Sequence, residues 1–276
     1  MLADGHVAPD VAYARPIDGD LAWIHRQAGE TAIYYVASPL DHPVELDVRF
    51  RVAGEQPELW HPDTGAREVL AWHADSGHTT VRLHLAPHDA AFVVFRARAG
   101  AAPPAPPVAA TRRTLATVSG PWTLHFPSGL GAPPSITMAA LAPWSASADS
   151  GVKYFSGTAS YARTITAPAN WFRRGRTLLL SLGEVRDLAE VVVNGTTLPL
   201  LWKAPFDVDV TRALHRGANR VEIRVTNEWT NRILGDRTVP ASQRVLAPGP
   251  PPFGRAPSLP ASGLLGPVTI LSVDSP

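Results

Sequence analysis

The sequence predicts an all-β protein of two β-sandwich modules joined by a Pro/Ala-rich linker. Three observations carry this. Apolar residues recur with period 2 in short runs, turn signals separate the runs every ~8–12 residues, and no long stretch has the 3.6-residue period of an amphipathic helix. Between the modules ARAGAAPPAPPVAA, residues 97–110, is small, Pro-rich and aperiodic and reads as an extended linker. The divisions are a sandwich over 1–97, a linker over 98–111 and a second module over 112–276.

In the first module, LAWIH (21–25) and TAIYYVAS (31–38) flank a turn at Ala28-Gly29. VELDVRFRV (44–52) places Val44, Leu46, Val48 and Phe50 on one face, as a half-buried strand requires. ELW (58–60), a Pro62-Asp63-Thr64-Gly65 turn, REVLAW (67–72), TTVRLHL (79–85) and AAFVVF (90–95) complete the set. Residues 1–20 are expected to be weakly ordered.

In the second module the strands are PWTLHF (121–126), ASYARTI (159–165), TLLLSL (177–182), AEVVVNGTTL (189–198), FDVDV (206–210), NRVEIRVTN (219–227) and VTILSV (268–273). Asn194-Gly195 between apolar runs predicts a tight hairpin. TRALHRGAN, from Thr211, reads as a short helical turn capped by Thr and closed by Gly217. Residues 247–266 read as a long loop.

Composition limits the function. Of 276 residues, 45% are hydrophobic and 18% charged, the balance of a globular protein. A formal net charge of +1 gives no overall field toward nucleic acid or a membrane surface. Lys153 and Lys203 are the only lysines; this reads as compositional bias rather than as an arginine-rich binding surface. With no cysteine, disulfides, thiolate metal sites and thiol nucleophiles are excluded. No run of ~18 apolar residues is present to cross a membrane as a helix. MLADGHVAPDVAYARP does not read as a signal peptide.

Motifs for chemistry are sparse. Ser150-Gly151-Val152-Lys153 has the S-x-x-K spacing but stands alone in what reads as a loop before a strand. His73, His78, His84 and His88 are close in sequence, yet His84 and His88 would diverge on a strand-then-turn. Carboxylates matter because glycoside hydrolysis uses a pair. Glu184 and Asp187 lie in the loop-like LGEVRDLAE; Glu228 and Asp236 flank the core of NEWTNRILGD; Asp207 and Asp209 alternate along a strand, facing solvent. Asn194-Gly195-Thr196 fits a glycosylation acceptor, although its turn role is sufficient.

Aromatic residues are the stronger signal. Trp144, Tyr154, Phe155, Trp202, Phe206 and Trp229 lie in or beside loops. Such rings suit the C–H faces of sugars, or they cap the ends of a sandwich. Lys203, Asn227, Asn231 and Arg232 stand near them as hydroxyl-orienting groups. The carbohydrate-binding set is therefore Trp144, Tyr154, Trp202, Lys203, Trp229, Asn231 and Arg232. Phe206 is expected in the core, and the exposure of Trp202 decides between a sugar platform and a domain interface.

SGTASYARTI, then TLLLSLGEVRDLAEVVVNGTTLPLLWKAPFDVDVTRALHRGANRVEIRVTN, then SGLLGPVTI resembles the glycoside hydrolase family 2-type sugar-binding domain, a galactose-binding-like jelly roll. WIHRQAGETAIYYVAS, FRVAGEQPELWHPDTG and FVVFR, with NEWTNRILGD and SGLLGPV, look like the region after the catalytic barrel in glycoside hydrolase family 106, the α-L-rhamnosidases. The resemblance implies a jelly-roll fold for the second module and carbohydrate as ligand, of a plant-type, rhamnose-containing kind. It also implies an upstream catalytic barrel as partner and export from the cytoplasm. In that family the catalytic carboxylates and a calcium ion lie in the barrel, for which two sandwiches leave no room. No catalytic residue is therefore carried over; Glu184, Asp187, Glu228 and Asp236 stay weak candidates on residue type alone. A structural calcium ion in the jelly roll is a further implication. Three functions follow: a non-catalytic carbohydrate-binding accessory region, a glycoside hydrolase using the loop carboxylates, or a purely structural domain-packing region.

Overall fold

A computed structural model describes residues 9–13, 19–98, 111–246 and 258–274. The chain divides into two compact units, Met1–Val108 and Ala109–Pro276. Most of the Pro/Ala-rich stretch lies outside the described residues, as do most of residues 1–20 and residues 247–257 of the C-terminal loop.

Unit 1 contains strands β1 (Val11–Tyr13), β2 (Ala22–Ala28), β3 (Thr31–Ala37), β4 (Val44–Phe50), β5 (Glu55–Trp60), β6 (Arg67–Val69), β7 (Trp72–Asp75), β8 (His78–Leu85) and β9 (Ala90–Arg98). They form a four-stranded sheet, β1-β4-β8-β7, and a five-stranded sheet, β2-β3-β9-β5-β6, with all pairings antiparallel. Val44, Leu46, Val48 and Phe50 all point into one core, against Tyr34, Val36, Leu83 and Phe95. Two expectations are corrected. Val11–Tyr13, inside the segment expected to be weakly ordered, pairs with Val48–Phe50. REVLAW is not one strand: Arg67–Val69 joins β5 while Trp72 begins β7 in the other sheet, because the chain must cross between sheets there.

Unit 2 contains β10 (Thr111–Thr117), β11 (Trp122–His125), β12 (Ser135–Met138), helix α1 (Ser150–Lys153), β13 (Thr158–Ala167), β14 (Arg176–Ser181), β15 (Glu184–Arg186), β16 (Leu188–Val193), β17 (Thr196–Thr197), β18 (Asp207–Asp209), β19 (Gly217–Thr226), helix α2 (Thr230–Asp236), β20 (Gly263–Gly266) and β21 (Thr269–Asp274). A four-stranded sheet, β10-β21-β14-β18, and a six-stranded sheet, β12-β11-β13-β19-β16-β17, enclose the core; β15 and β20 pair separately. All these pairings are antiparallel. This is the jelly-roll type of sandwich, and the whole chain is of the all-β class.

Alternation explains the core. Ala159, Tyr161 and Ile165 of β13, Val191 and Val193 of β16, and Val221, Ile223 and Val225 of β19 all turn inward. Burial of each large side chain contributes about 1.5–3 kcal/mol. The β16–β17 hairpin turns at Asn194 (φ 51°) and Gly195 (φ 84°), the left-handed pair of a type I′ turn. The Asn194 side chain is also consumed structurally: Nδ2 donates to the Ala213 carbonyl and to Asn219 Oδ1, and Oδ1 accepts from Arg220 N–H.

Four further corrections concern local structure. The single turn over Thr211–Ala213 forms, with Leu214 N–H on the Val210 carbonyl, but Thr211 does not cap it: its hydroxyl accepts from Leu178 N–H on β14 while Asp209 accepts the Thr211 N–H. Ser150–Lys153 is a single helical turn rather than a loop, capped by Asp149, which accepts from Gly151 and Val152 N–H. Residues 230–236 form α2, whose short period falls below what the sequence pattern reveals. Gly263–Gly266, inside the expected long loop, pairs with β15; glycine hides its strand character.

Candidate functional site

The rim of unit 2 is built where three chain segments meet beyond β14. After Ser181 the chain runs through β15 to Asp187 and enters β16 at Leu188. On one side, Asp187 N–H donates to the Thr226 carbonyl (2.9 Å), and Leu188 lies opposite Thr226 of β19. On the other side, Ala189 and Leu201 exchange both backbone hydrogen bonds at 2.8 Å. Extending that antiparallel pairing by one residue brings Leu188 level with Trp202. Past β19, Glu228 N–H donates to Asp187 Oδ2 at 3.2 Å, and Trp229 follows.

The result is an exposed apolar rim. Trp202 is 54% exposed, Trp229 49%, Leu200 54% and Leu188 36%. Lys203 Nζ stands 5.9 Å from the Trp202 ring centroid, within cation–π reach. Asp187 and Glu228 supply charge next to Leu188 and Trp229; on β15, Arg186 donates to Glu184 Oε1 from Nε at 3.0 Å and Nη2 at 2.5 Å. Flat apolar faces bordered by hydrogen-bonding groups can stack a sugar ring and read its hydroxyls. Phe206 is buried in the core, its carbonyl accepting from Leu182 N–H.

The remaining predicted residues do not join this rim. Trp144 is fully buried; its ring packs 5.3 Å from Phe155, 6.0 Å from Phe126 and 6.2 Å from Tyr161. It is a core plug, not a platform. Burial pushes the Tyr161 hydroxyl far above its ordinary range, and that oxygen accepts from Leu264 N–H. Phe155 is buried as well.

Asn231 and Arg232 are buried and act as pins for α2. Asn231 Nδ2 donates to the Pro260 carbonyl and Ser262 Oγ, and Arg232 N–H donates to Ser156 Oγ. Asn227 likewise holds the chain after Phe155, with Oδ1 on Gly157 N–H and Nδ2 on the Phe155 carbonyl. Tyr154 is half-buried and packs on α2 at Gly235, where a Cβ would come 2.5 Å from the Tyr154 Cβ.

The carboxylate candidates separate by environment. Asp236 is buried, 3.0 Å from Arg232 Nε, and accepts from Val245 and Leu246 N–H, so it serves structure. Glu184 is on a strand, not in a loop, and is held by Arg186. Asp187 and Glu228 adjoin through the backbone N–H of Glu228, which donates to the Asp187 carboxylate. Asp207 pairs with Arg112, and Asp209 caps Thr211. His84 lies on β8 and His88 in the following turn with φ 53°. Among the described residues no group of three His, Asp or Glu side chains could hold a metal ion, so the implied calcium finds no side-chain cage there.

Sequence reasoning missed Leu188 and Leu200. Strict alternation along LAEVVV, with Ala189, Val191 and Val193 inward, is the signal that would have turned Leu188 outward.

An all-β chain with an aromatic rim fits the glycoside hydrolase modules named above, and comparison supports this. Residues 1–74 match the model of glycoside hydrolase family 106, described as alpha-L-rhamnosidase. The solved structure of a rhamnosidase from Novosphingobium sp. PP1Y superposes with a TM-score of 0.82 at 40% identity, over 98% of this chain and 26% of that one. A Formosa agariphila protein named "Putative beta-glucuronidase" is 36% identical over 176 residues, taking in 55% of this chain and 15% of the relative. The chain is thus related to glycoside hydrolases, and specifically to those of the rhamnosidase type. It spans about a quarter of the rhamnosidase and less of the other relative.

Proposed function

We propose that this chain is a non-catalytic, carbohydrate-binding accessory region of an α-L-rhamnosidase-like glycoside hydrolase. The observation that carries the reading is the exposure of Trp202 and Trp229 on a rim whose backbone is fixed by hydrogen bonds. Large exposed aromatics are costly to leave in water without a partner. The described residues form two sandwiches and no (β/α) barrel. Among the four candidate carboxylates, the Asp187 side chain is engaged by the Glu228 backbone N–H rather than paired with a second carboxylate.

The test is calorimetric titration with L-rhamnose, galactose and rhamnose-containing plant oligosaccharides, beside an assay on an aryl α-L-rhamnoside. Binding without hydrolysis is expected. Hydrolysis abolished by Glu228→Gln would replace this reading with a catalytic one.

A second reading has its own support. Leu188 and Leu200 enlarge the exposed apolar rim toward the extent of an interaction surface, as a surface packed against a catalytic barrel would. In that case no sugar binds, and the rim becomes protected from solvent when a barrel domain is added.

A further inference from the structure

A second feature of unit 2 lies at the opposite end of β14. That strand begins at Arg176 and ends at Ser181, where the chain enters the rim; six residues of strand span roughly 20 Å. At its start, three guanidinium groups gather round one carboxylate. Arg176 is almost buried, its side chain 10% exposed, and grips Asp274 at two points, Nε to Oδ1 at 2.7 Å and Nη2 to Oδ2 at 3.0 Å. Its Nη1 also donates to the Asn170 carbonyl at 3.4 Å. The group is therefore held in a fixed plane.

Arg113, on β10, and Arg173, in the turn before β14, are exposed. Both help hold the Asp274 carboxyl below its ordinary range, after the larger effect of Arg176. Among the described residues neither side chain has a hydrogen bond or close ion pair. Among the described residues three cations here face one carboxylate, in a chain whose overall charge is only +1. These three arginines, with Thr114, Asn170 and Trp171, line an open pocket.

Guanidinium forks match the geometry of carboxylate, sulfate and phosphate oxygens. The exposed Thr114 and Asn170 side chains add donors and acceptors suited to hydroxyl groups. Asp274 would repel a dense polyanion but leaves capacity for one oxyanion. We propose that this pocket binds the oxyanion of an acidic saccharide, a uronate carboxylate or a sulfate ester. The assignment rests on the carbohydrate reading above. It gives unit 2 two independent contacts with one polysaccharide: an apolar one at the rim and an ionic one at Arg113, Arg173 and Arg176.

The experiment titrates the full chain with a galacturonate oligosaccharide, a sulfated oligosaccharide, a neutral oligosaccharide of equal length, inorganic sulfate, and an oligonucleotide of equal charge. The proteins are wild type, the Arg113→Gln/Arg173→Gln double variant, and Trp202→Ala. Both substituted arginines are exposed, so the double variant should fold. At low salt an acidic oligosaccharide should bind tighter than the neutral one; which of the two acidic ligands gains identifies the oxyanion. The double variant should lose about fivefold or more of that affinity and leave neutral-sugar binding unchanged. The gain should also shrink near 0.15 M salt, as ionic screening requires.

Undiminished acidic-sugar binding by the double variant would overturn the proposal. So would inorganic sulfate binding as tightly as the oligosaccharide, which marks a simple anion site, or an equal gain with the oligonucleotide. If neutral sugar binds but no acidic sugar gains, the pocket assignment alone falls. If no sugar binds at all, the carbohydrate reading falls with it.

Discussion

The carboxylate of Asp187 accepts the backbone N–H of Glu228 at 3.2 Å. This bond ties the end of the β15 segment to the segment carrying Trp229. One residue further along each chain lie Leu188 and Trp229, exposed apolar positions of the rim, so the backbone beneath the aromatic surface is fixed before any ligand arrives.

Trp202 is the first side chain to remove. It is more than half exposed, so Trp202→Ala should change stability by less than about 1 kcal/mol. The melting temperature should stay within a few degrees of wild type. Under the carbohydrate-binding reading, affinity for sugar should drop about five- to tenfold, the loss of one stacking contact of ~1–1.5 kcal/mol. Unchanged affinity would move Trp202 to the domain-interface reading.

Trp144 should behave in the opposite way. It is enclosed by Phe126, Phe155 and Tyr161, and Trp144→Ala should cost about 3–5 kcal/mol. Denaturant unfolding measures this directly. Any loss of sugar binding should follow the fraction unfolded; a folded Trp144→Ala protein with specifically abolished binding would contradict its place in the core.

Arg232 and Asp236 form a buried pair one helical turn apart. Asp236→Ala leaves a buried guanidinium without its counterion and frees the N–H groups of Val245 and Leu246. A cost of about 3–5 kcal/mol is expected. Hydrogen exchange should rise first in α2 and residues 241–246, because those are the segments the carboxylate joins.

Acid should weaken unit 2 through Glu222. The Arg224 guanidinium beside it holds its carboxyl below the ordinary value of 4.5. A depressed carboxylate stabilises the fold above its unfolded pKa and loses that contribution as pH falls through its folded value. The melting temperature should therefore fall on acidification below about pH 4.5, and Glu222→Gln should flatten that fall while lowering stability slightly at pH 7. Both side chains are partly exposed, so the effect is at most about 1 kcal/mol. Equal acid profiles for the two proteins would remove Glu222 from this role.

The sequence by itself determined the all-β class, the strands with clear alternation, the Asn194-Gly195 hairpin and the inward turn of Phe206. These depend on period-2 burial and local turn chemistry, which act over a few residues. It could not show β20, whose glycines carry no pattern, or α2, which is too short for one.

Tertiary structure decided the site. Trp144 and Trp202 look alike in sequence, each an aromatic in a loop, but one loop folds over the core and the other forms the rim. Asn231 and Arg232 read as sugar-orienting groups and Asp236 as a weak catalytic candidate, until packing turned all three into pins. The arginine pocket was invisible for a related reason. Net charge averages over the chain, whereas Arg113, Arg173 and Arg176 become neighbours only when β10 and β14 flank β21 in one sheet. Exposure and charge density depend on which distant segments meet, and that is set by long-range strand pairing rather than local pattern.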